Sequence, residues 1–206
     1  HPNIDLYVTG SNAFLLSSEL ATLLTGRAYE IHVLPFSFAE FISFTGKSNN
    51  LDRAFAEYIG TGGFPEAVRL SANGNQFAFD YLQMVFNNIF SNDISARRTI
   101  YSEESYQRVV NFLIDSIGSN VSATNIANTL KANNKPIDNK TVSKYIDSLV
   151  ESYLFYRAKR YDIKGKQHLA TQEKYYLVDL GFRNALLGKE FLSDAGHLLE
   201  NIIYLE

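Results

Sequence analysis

The sequence contains no cysteine, which excludes disulfide bonds and thiolate-held metal sites and makes a reducing cytosol the expected compartment. It also lacks long hydrophobic runs, since its apolar stretches are broken by Ser, Glu or Gly, so we expect no transmembrane helix. The first residues have neither the basic flank nor the apolar core of a signal peptide. We therefore expect a cytoplasmic globular protein, which an apolar fraction of 46% fits.

Positive charge is scarce overall but concentrated in one part of the chain. The net charge of −3 argues against a protein that coats nucleic acid along its whole surface. Residues 97–166, however, hold twelve Lys or Arg and seven acidic residues, a net charge of +5. The remainder holds seven basic and fifteen acidic residues, a net charge of −8. Local contact with nucleic acid therefore stays open for the middle of the chain.

Several common catalytic patterns are missing. There is no Gly-x-Ser-x-Gly sequence, and the histidines lie apart from carboxylates or other histidines at ligand spacing, so we expect no metal site. Gly46-Lys47-Ser48 resembles the end of a phosphate loop, but the required glycine five positions earlier is replaced by Phe41. We interpret this segment as a polar linker.

The N-terminal part has a pattern that is typical of nucleotide-binding sheets. An apolar segment at residues 4–9 ends in the small polar residues Ser11 and Asn12, and an amphipathic stretch leads to Arg27. With a second apolar segment at 28–33, the pattern predicts a β–α–β unit. Polar groups at a strand tip and a nearby arginine suit contacts with a γ-phosphate. Alternatively, Ser11 and Asn12 cap a helix and Arg27 is an ordinary surface residue.

A helical segment follows this unit. Ser37 is a suitable N-cap for a helix at 38–44, with Glu40 in its first turn. The pattern from 51 to 98 is also helical, and a tight turn is predicted where Gly62 and Gly63 precede Phe64-Pro65. The apolar residues that repeat at helical spacing in its second half are Phe77, Tyr81 and Met84 or Val85.

Residues 103–188 have the pattern of a winged helix, in which a helix–turn–helix precedes a β-hairpin. Gly118 suits a left-handed helix end, while Ser122 and either Asp138 or Asn139 suit helix N-caps. The expected elements are helices at 104–116, after 122 and from 139, strands near 155–161 and 174–178, and a closing helix at 180–187.

The polar side of the helix that begins near residue 139, together with the hairpin, is a candidate DNA-binding surface. Lys and Arg suit contacts with phosphates, as does an asparagine near a helix N-terminus. The candidate residues are Asn139, Lys140, Lys144, Arg157, Lys159, Arg160, Lys164 and Lys166. The alternative is a docking surface inside a larger protein, since winged helices in multidomain ATPases often pack against neighbouring domains.

Longer segments together resemble one protein family. The segments are Tyr7-Val8-Thr9-Gly10-Ser11-Asn12, Leu24-Thr25-Gly26-Arg27, Leu34-Pro35-Phe36-Ser37-Phe38-Ala39-Glu40-Phe41, Gly62-Gly63-Phe64-Pro65-Glu66, Leu177-Val178-Asp179-Leu180-Gly181 and Gly196-His197-Leu198-Leu199-Glu200-Asn201. In order and over essentially the whole chain they resemble a large prokaryotic family of AAA-type P-loop ATPases. Members of that family carry a C-terminal domain of unknown function that is similar to restriction endonucleases.

The resemblance implies roles for individual residues. Asn12 matches a sensor position, with Ser11 beside it at the nucleotide, and Arg27 matches a candidate arginine finger. The nucleotide-binding lysine and the Mg²⁺-binding acids of the family have no counterpart here. Glu200 matches the first carboxylate of the nuclease-like domain, but a single carboxylate does not hold a metal ion in working geometry. We therefore expect an internal fragment of a longer protein.

These observations lead to one interpretation of fold and organisation. We predict an α+β, predominantly helical chain that combines a remnant of a P-loop ATPase α/β core with a helical lid and a winged-helix domain. The expected boundaries are 1–47 for the core remnant, 48–98 for the lid, 99–188 for the winged helix and 189–206 for the start of the nuclease-like domain. The resemblance implies ATP and Mg²⁺ as cofactors of the full-length parent, while the chain alone is expected to hold neither and to be inactive.

The expected partners are the missing N-terminal and C-terminal parts of the parent, duplex DNA, and further copies of the chain, with no membrane. Two rival functions stay open. One is a stand-alone winged-helix DNA-binding protein in which residues 1–98 form a dimerisation element. The other is an interaction module that docks a nuclease domain onto an ATPase.

Overall fold

The computed structural model describes residues 7, 9, 10, 29, 31–95, 99–162, 167–188 and 195–206. Predictions for other positions, including most of the β–α–β unit, lie outside these residues. Within the described part the fold is α+β and predominantly helical, as predicted.

The predicted strand at 28–33 is wrong where the structure describes it. Residues 31–34 belong to no regular element, and Ile31 and Val33 are 69% and 89% exposed. A strand needs a neighbour to pair its backbone N–H and C=O groups, and no described strand lies beside this segment. Apolar composition alone therefore did not produce a strand here.

The helical group comes first in the chain. It comprises α1 (Phe38–Thr45), α2 (Leu51–Thr61), α3 (Pro65–Ser71), α4 (Asn75–Asn88) and a π-helix (Ile89–Ser95). The predicted cap of α1 is confirmed: Ser37 accepts from the Glu40 backbone N–H, and the Glu40 carboxylate accepts from the Ser37 backbone N–H. The turn after α2 is also as predicted, because Gly62 has a φ of 79° and Pro65 begins α3.

The helix–hairpin unit, residues 103–177, follows. Its elements are α5 (Glu103–Asp115), β1 (Asn120–Val121), α6 (Ala123–Ala132), α7 (Asn139–Glu151), β2 (Phe155–Asp162) and β3 (Gln167–Leu177). The strands form an antiparallel sheet in the order β1-β3-β2. Ser122 and Asp138 cap α6 and α7 through their side chains, as predicted. Gly118 has the expected left-handed φ of 70°, but α5 ends two residues earlier, at a C-cap on Ser116. The return strand β3 begins earlier than expected.

Two further helices close the described part, α8 (Leu180–Leu187) and α9 (Ala195–Leu205). The predicted helix at 180–187 is confirmed, and it packs on α2 and α4 of the helical group as well as on α5. Buried apolar side chains form one cluster from Phe41 to Ile202. The helical group and the helix–hairpin unit therefore share a hydrophobic core.

No helix within the described residues is both long enough and apolar enough to cross a membrane.

Candidate functional sites

The predicted nucleotide residues Ser11, Asn12 and Arg27 lie outside the residues that the structure describes. Their roles at a γ-phosphate therefore stay predictions. The structure does describe the segment that follows them, from Ile31 into α1, and its contacts with the rest of the chain.

The outer face of α7 is exposed because the opposite face is anchored in the core. Val142, Ile146 and Leu149, spaced three or four residues apart, are buried. Lys140 and Lys144 consequently point to solvent, and neither forms an ion pair with any residue that the structure describes. Two of the predicted DNA-contacting residues are thus accessible and carry unneutralised charge.

Asn139, a third predicted residue, has a structural contact. Its side-chain Nδ2 donates a hydrogen bond of 2.9 Å to the hydroxyl of Thr124 in α6. The amide therefore connects the first turns of α6 and α7. This contact engages one N–H of the amide and leaves its second N–H and its oxygen for other partners.

Arg157 on β2 is engaged within the protein. Its Nη2 lies 2.5 Å from Asp147 of α7, its Nε lies 3.4 Å from Glu173 of β3, and its guanidinium lies over the ring of Tyr175, 5.7 Å from the centroid. The side chain is 25% exposed. Arg157 therefore connects α7 with both strands of the hairpin.

Lys159 is the other predicted hairpin residue whose side chain the structure describes, and it is exposed. It lies two residues beyond Arg157, and successive residues of a strand alternate between faces, so both lie on the same face of β2. The side chain of Arg160, and Lys164 and Lys166 entirely, lie outside the described residues.

A junction between the helical group and α8 is formed by a buried carboxylate. Asp179 is 3% exposed; its Oδ1 accepts from the Gly181 N–H at 2.7 Å and its Oδ2 accepts from the Gly63 N–H at 2.5 Å. Phe36 in turn donates its N–H to the Gly63 carbonyl at 2.8 Å. We call Phe36, Gly62, Gly63, Asp179 and Gly181 the glycine junction.

The junction needs glycine because backbones and the carboxylate approach each other closely. A Cβ at Gly62 would overlap the Asp179 carboxylate, and one at Gly63 would overlap the Phe36 carbonyl oxygen. Gly181 lies in α8, where a Cβ would overlap the Thr61 carbonyl oxygen. Three segments that are distant in sequence are thereby held in one arrangement.

The environment of Asp179 changes its protonation. Burial raises the pKa of Asp179 to about 6, against the backbone N–H groups of Gly63, Gly181 and Phe64, which lower it. Burial also raises the pKa of Tyr58, whose hydroxyl donates to the Phe36 carbonyl at 2.8 Å. Both groups are therefore expected to be uncharged more readily than they would be in water.

A cavity of about 450 Å³ borders the junction. Its walls include His32 to Ser37 on one side and Val178 to Leu180 on another, with Ile202 and Leu205 of α9. The His32 ring also makes an edge contact with Tyr153, in the turn between α7 and β2, at a centroid distance of 5.9 Å. The segment before α1 thus borders the same cavity as α8 and contacts the helix–hairpin unit.

Glu200 on α9 is engaged in contacts with β3. Its carboxylate accepts from Lys174 at 2.7 Å and from the Tyr176 hydroxyl at 2.6 Å, and these hydrogen bonds lower its pKa. The neighbouring Asn201 is fully buried and exchanges two hydrogen bonds with the Leu177 backbone, at 2.8 and 3.0 Å. Among the described residues there is no group of three potential metal ligands.

The sequence patterns did not single out Asp179, Tyr58 or Asn201 as candidate site residues. Asp179 follows a strand and precedes a helix, so its position suits an N-cap, and Gly181 follows at the second helical position. Local sequence nevertheless cannot show that its other partner is Gly63, 116 residues away.

Comparison with known proteins assigns the family. Residues 52–193 match the model of a domain of unknown function, DUF8612. The chain belongs to this family. Residues 1–42 match the model of an AAA domain. The N-terminal segment is thus similar to an AAA domain. Of the glycine junction, Phe36 lies in the AAA match and the other four residues lie in the DUF8612 match.

Two relatives extend this picture. An uncharacterized protein of Haemophilus influenzae is 41% identical over 99% of this chain and 51% of its own length. An uncharacterized protein of Methanocaldococcus jannaschii is 29% identical over 98% of this chain and 46% of its own length. The chain therefore spans about half the length of these relatives. No solved structure matches it.

Proposed function

We propose that this chain is part of an AAA-type ATPase in which the glycine junction transmits nucleotide-dependent movement to the helix–hairpin unit. The observation that carries the proposal is the Asp179 carboxylate, which holds Gly63 and Gly181 together. Phe36, inside the AAA-matched segment, bonds directly to Gly63. A displacement of the AAA segment would therefore reach α8 through consecutive hydrogen bonds.

A second contact supports the same route. His32 lies in the AAA-matched segment, and its ring packs against Tyr153 between α7 and β2. The cavity of about 450 Å³ beside the junction gives the segment space in which to shift. Movement of the AAA segment would thus act on α8 and on the end of α7 together.

The helix–hairpin unit supports a winged-helix assignment. A helix, a short strand, two helices and a hairpin follow one another, and the sheet order β1-β3-β2 places the return strand at the centre. In this assignment α7 is the helix that corresponds to the DNA-recognition helix of such folds. The tip of the hairpin, 163–166, lies outside the described residues.

Binding of ATP with Mg²⁺ is proposed for the whole protein on the basis of the AAA match, with Ser11, Asn12 and Arg27 at the nucleotide. Upstream sequence in the same reading frame should encode Gly-x-x-x-x-Gly-Lys-[Ser/Thr]. The whole protein should hydrolyse ATP, and Arg27→Ala should lower kcat by about 10³-fold or more if Arg27 is the finger. Arg53→Ala, on the exposed surface of α2, is the matched control. An absent loop, or equal rates in both variants, would refute the assignment.

A second candidate function is contact with duplex DNA. It is favoured by the exposure of Lys140 and Lys144 on the outer face of α7, without ion pairs to any described residue. Such ammonium groups attract phosphates, and the affinity would fall steeply with salt. Retardation of labelled duplex by the 206-residue chain at low salt, lost in Lys140→Glu/Lys144→Glu, would support it; no retardation would exclude it.

A further inference from the structure

The turn that ends α7 contains a tyrosine where a small residue is usual. The Leu154 N–H donates to the Leu149 carbonyl and the Tyr153 N–H donates to the Val150 carbonyl, each at 3.1 Å. These two bonds form a Schellman motif, in which the residue at the position of Tyr153 has a left-handed backbone and is usually glycine or asparagine. Tyr153 has a φ of 58°, a conformation that is unfavourable for a bulky side chain.

Other helices with a left-handed end follow the usual preference. Asn134 takes the corresponding position after α6, with a φ of 57° and the same two hydrogen bonds in its turn. Gly46 and Gly188 end α1 and α8 with φ values of 70° and 60°. Within the described part of the chain, Tyr153 is therefore the one bulky residue with a positive φ. The ending of a helix does not by itself explain a tyrosine here.

The Tyr153 ring makes a contact that neither glycine nor asparagine offers. It meets the His32 ring nearly at right angles, with an interplanar angle of 85°. The backbone on either side of Tyr153 is anchored, because Leu149 and Leu154 are buried. His32 lies in the AAA match and Tyr153 lies in the DUF8612 match. A rigidly held turn thus presents one aromatic ring to the AAA segment.

We infer that Tyr153 is a positioning residue through which the segment before α1 acts on the end of α7. Its backbone conformation costs stability, and residues held in such conformations cluster where a side chain has a function. The inference rests on the proposed transmission from the AAA segment. It assigns the branch toward α7 to one side chain, while the glycine junction supplies the branch toward α8.

The strain at this position is tested by two variants that remove the same ring. Tyr153→Gly and Tyr153→Ala both lose the contact with His32 and differ only in the presence of a Cβ. Because a left-handed backbone is unfavourable for any residue with a Cβ, the Tm of Tyr153→Gly should exceed that of Tyr153→Ala by about 2–6 °C. Within a regular helix the order is the reverse. Equal Tm values, or a more stable Tyr153→Ala, would overturn the strained conformation and with it the inference.

The coupling is tested by residue-resolved hydrogen exchange of the 206-residue chain without nucleotide. His32→Ala should raise the exchange rate of the Leu154 amide by about twofold or more, because it removes one partner of an aromatic pair. In Tyr153→Gly, the further change His32→Ala should have no effect on that rate. Tyr153→Phe keeps the ring, and Asn134→Gly alters the matching position of α6, so in both variants His32→Ala should act as it does in the parent.

The outcomes distinguish this inference from the proposed function. If His32→Ala has no effect in the parent chain, or has an equal effect in Tyr153→Gly, then the role of Tyr153 is refuted and the glycine junction is unaffected. If ATP changes no exchange in the whole protein while the response to His32→Ala depends on the Tyr153 ring, then the proposed function is refuted and the role of Tyr153 is supported. Circular dichroism of each variant verifies that it is folded.

Discussion

Replacement of Gly181 by alanine tests the close packing of the glycine junction, because the packing determines whether the free energy of unfolding rises or falls. Alanine normally stabilises a helix relative to glycine, by up to about 1 kcal/mol. Gly181 lies inside α8, but a Cβ there would overlap the Thr61 carbonyl oxygen and lie 2.7 Å from both Asp179 Oδ1 and Leu82 Cδ1. Because the Thr61 oxygen belongs to the backbone, a change of rotamer cannot relieve the overlap.

The magnitude follows from these two opposing effects. Overpacking of a filled core costs about 1–3 kcal/mol, and the displaced Asp179 carboxylate would also lose ideal geometry with Gly63 and Gly181. We expect Gly181→Ala to lower the free energy of unfolding by about 1–3 kcal/mol despite its better helix propensity.

Gly60 is the matched control, because it also lies in a helix, α2, and a Cβ there would meet nothing within 4 Å. Gly60→Ala should raise the free energy of unfolding by up to about 1 kcal/mol. Urea denaturation followed by far-UV circular dichroism gives both values. If both variants shift in the same direction, or if Gly181→Ala is as stable as the parent, then the close packing of the junction is not present in solution.

Three further predictions concern buried and capping side chains. Because the pKa of Asp179 is about 6 in the fold and 3.8 ordinarily, its protonated side chain stabilises the fold at low pH, and this stabilisation is lost as pH rises from about 4 to 6. The free energy of unfolding relative to that of Asp179→Asn should therefore fall by about 3 kcal/mol over that window, and a difference that does not change with pH would contradict the burial of Asp179. Ser37→Ala should cost about 1 kcal/mol in urea denaturation, since α1 loses its capping box; a neutral result would mean that the cap is not formed. Asn201→Ala should lower the free energy of unfolding by about 1–3 kcal/mol, because it leaves the buried Leu177 backbone unpaired. Glu200→Ala should lower it by at most about 1 kcal/mol, and the reverse order of the two effects would refute these roles.

Local sequence signals predicted the elements of the helix–hairpin unit well. Ser122 and Asp138 are N-caps, and the apolar spacing from Val142 to Leu149 matches a single helical face. Capping and helical periodicity involve residues only a few positions apart, so the local sequence is enough to predict them.

Features that depend on distant partners were not predictable in the same way. In α4 the residues expected at helical spacing were Phe77, Tyr81 and Met84 or Val85. Phe77 and Met84 are exposed, whereas Tyr81 and Val85 are half-buried against the core. The buried stripe is Ala78, Leu82 and Phe86, one or two positions away. Packing against α3 and α8 selects this face, and the local pattern of α4 does not show it.

In the candidate sites, too, some features could be predicted from local sequence and others required the fold. Exposure of Lys140 and Lys144 followed from the helical period, but the engagement of Arg157 by Asp147 and Glu173 required the fold of the hairpin against α7. Composition identifies a basic segment, whereas only geometry shows which of its charges are neutralised.

Hydrogen exchange in the whole protein, with and without ATP, tests transmission through the glycine junction. ATP should change exchange in the segment before α1, in α8 and in α7. In Gly181→Ala the change should persist before α1 and at the end of α7, which the His32–Tyr153 contact reaches directly, but should disappear from α8, while Gly60→Ala should behave as the parent. An equal response of α8 in both variants, or no response of α8 in the parent, would contradict transmission through the glycine junction.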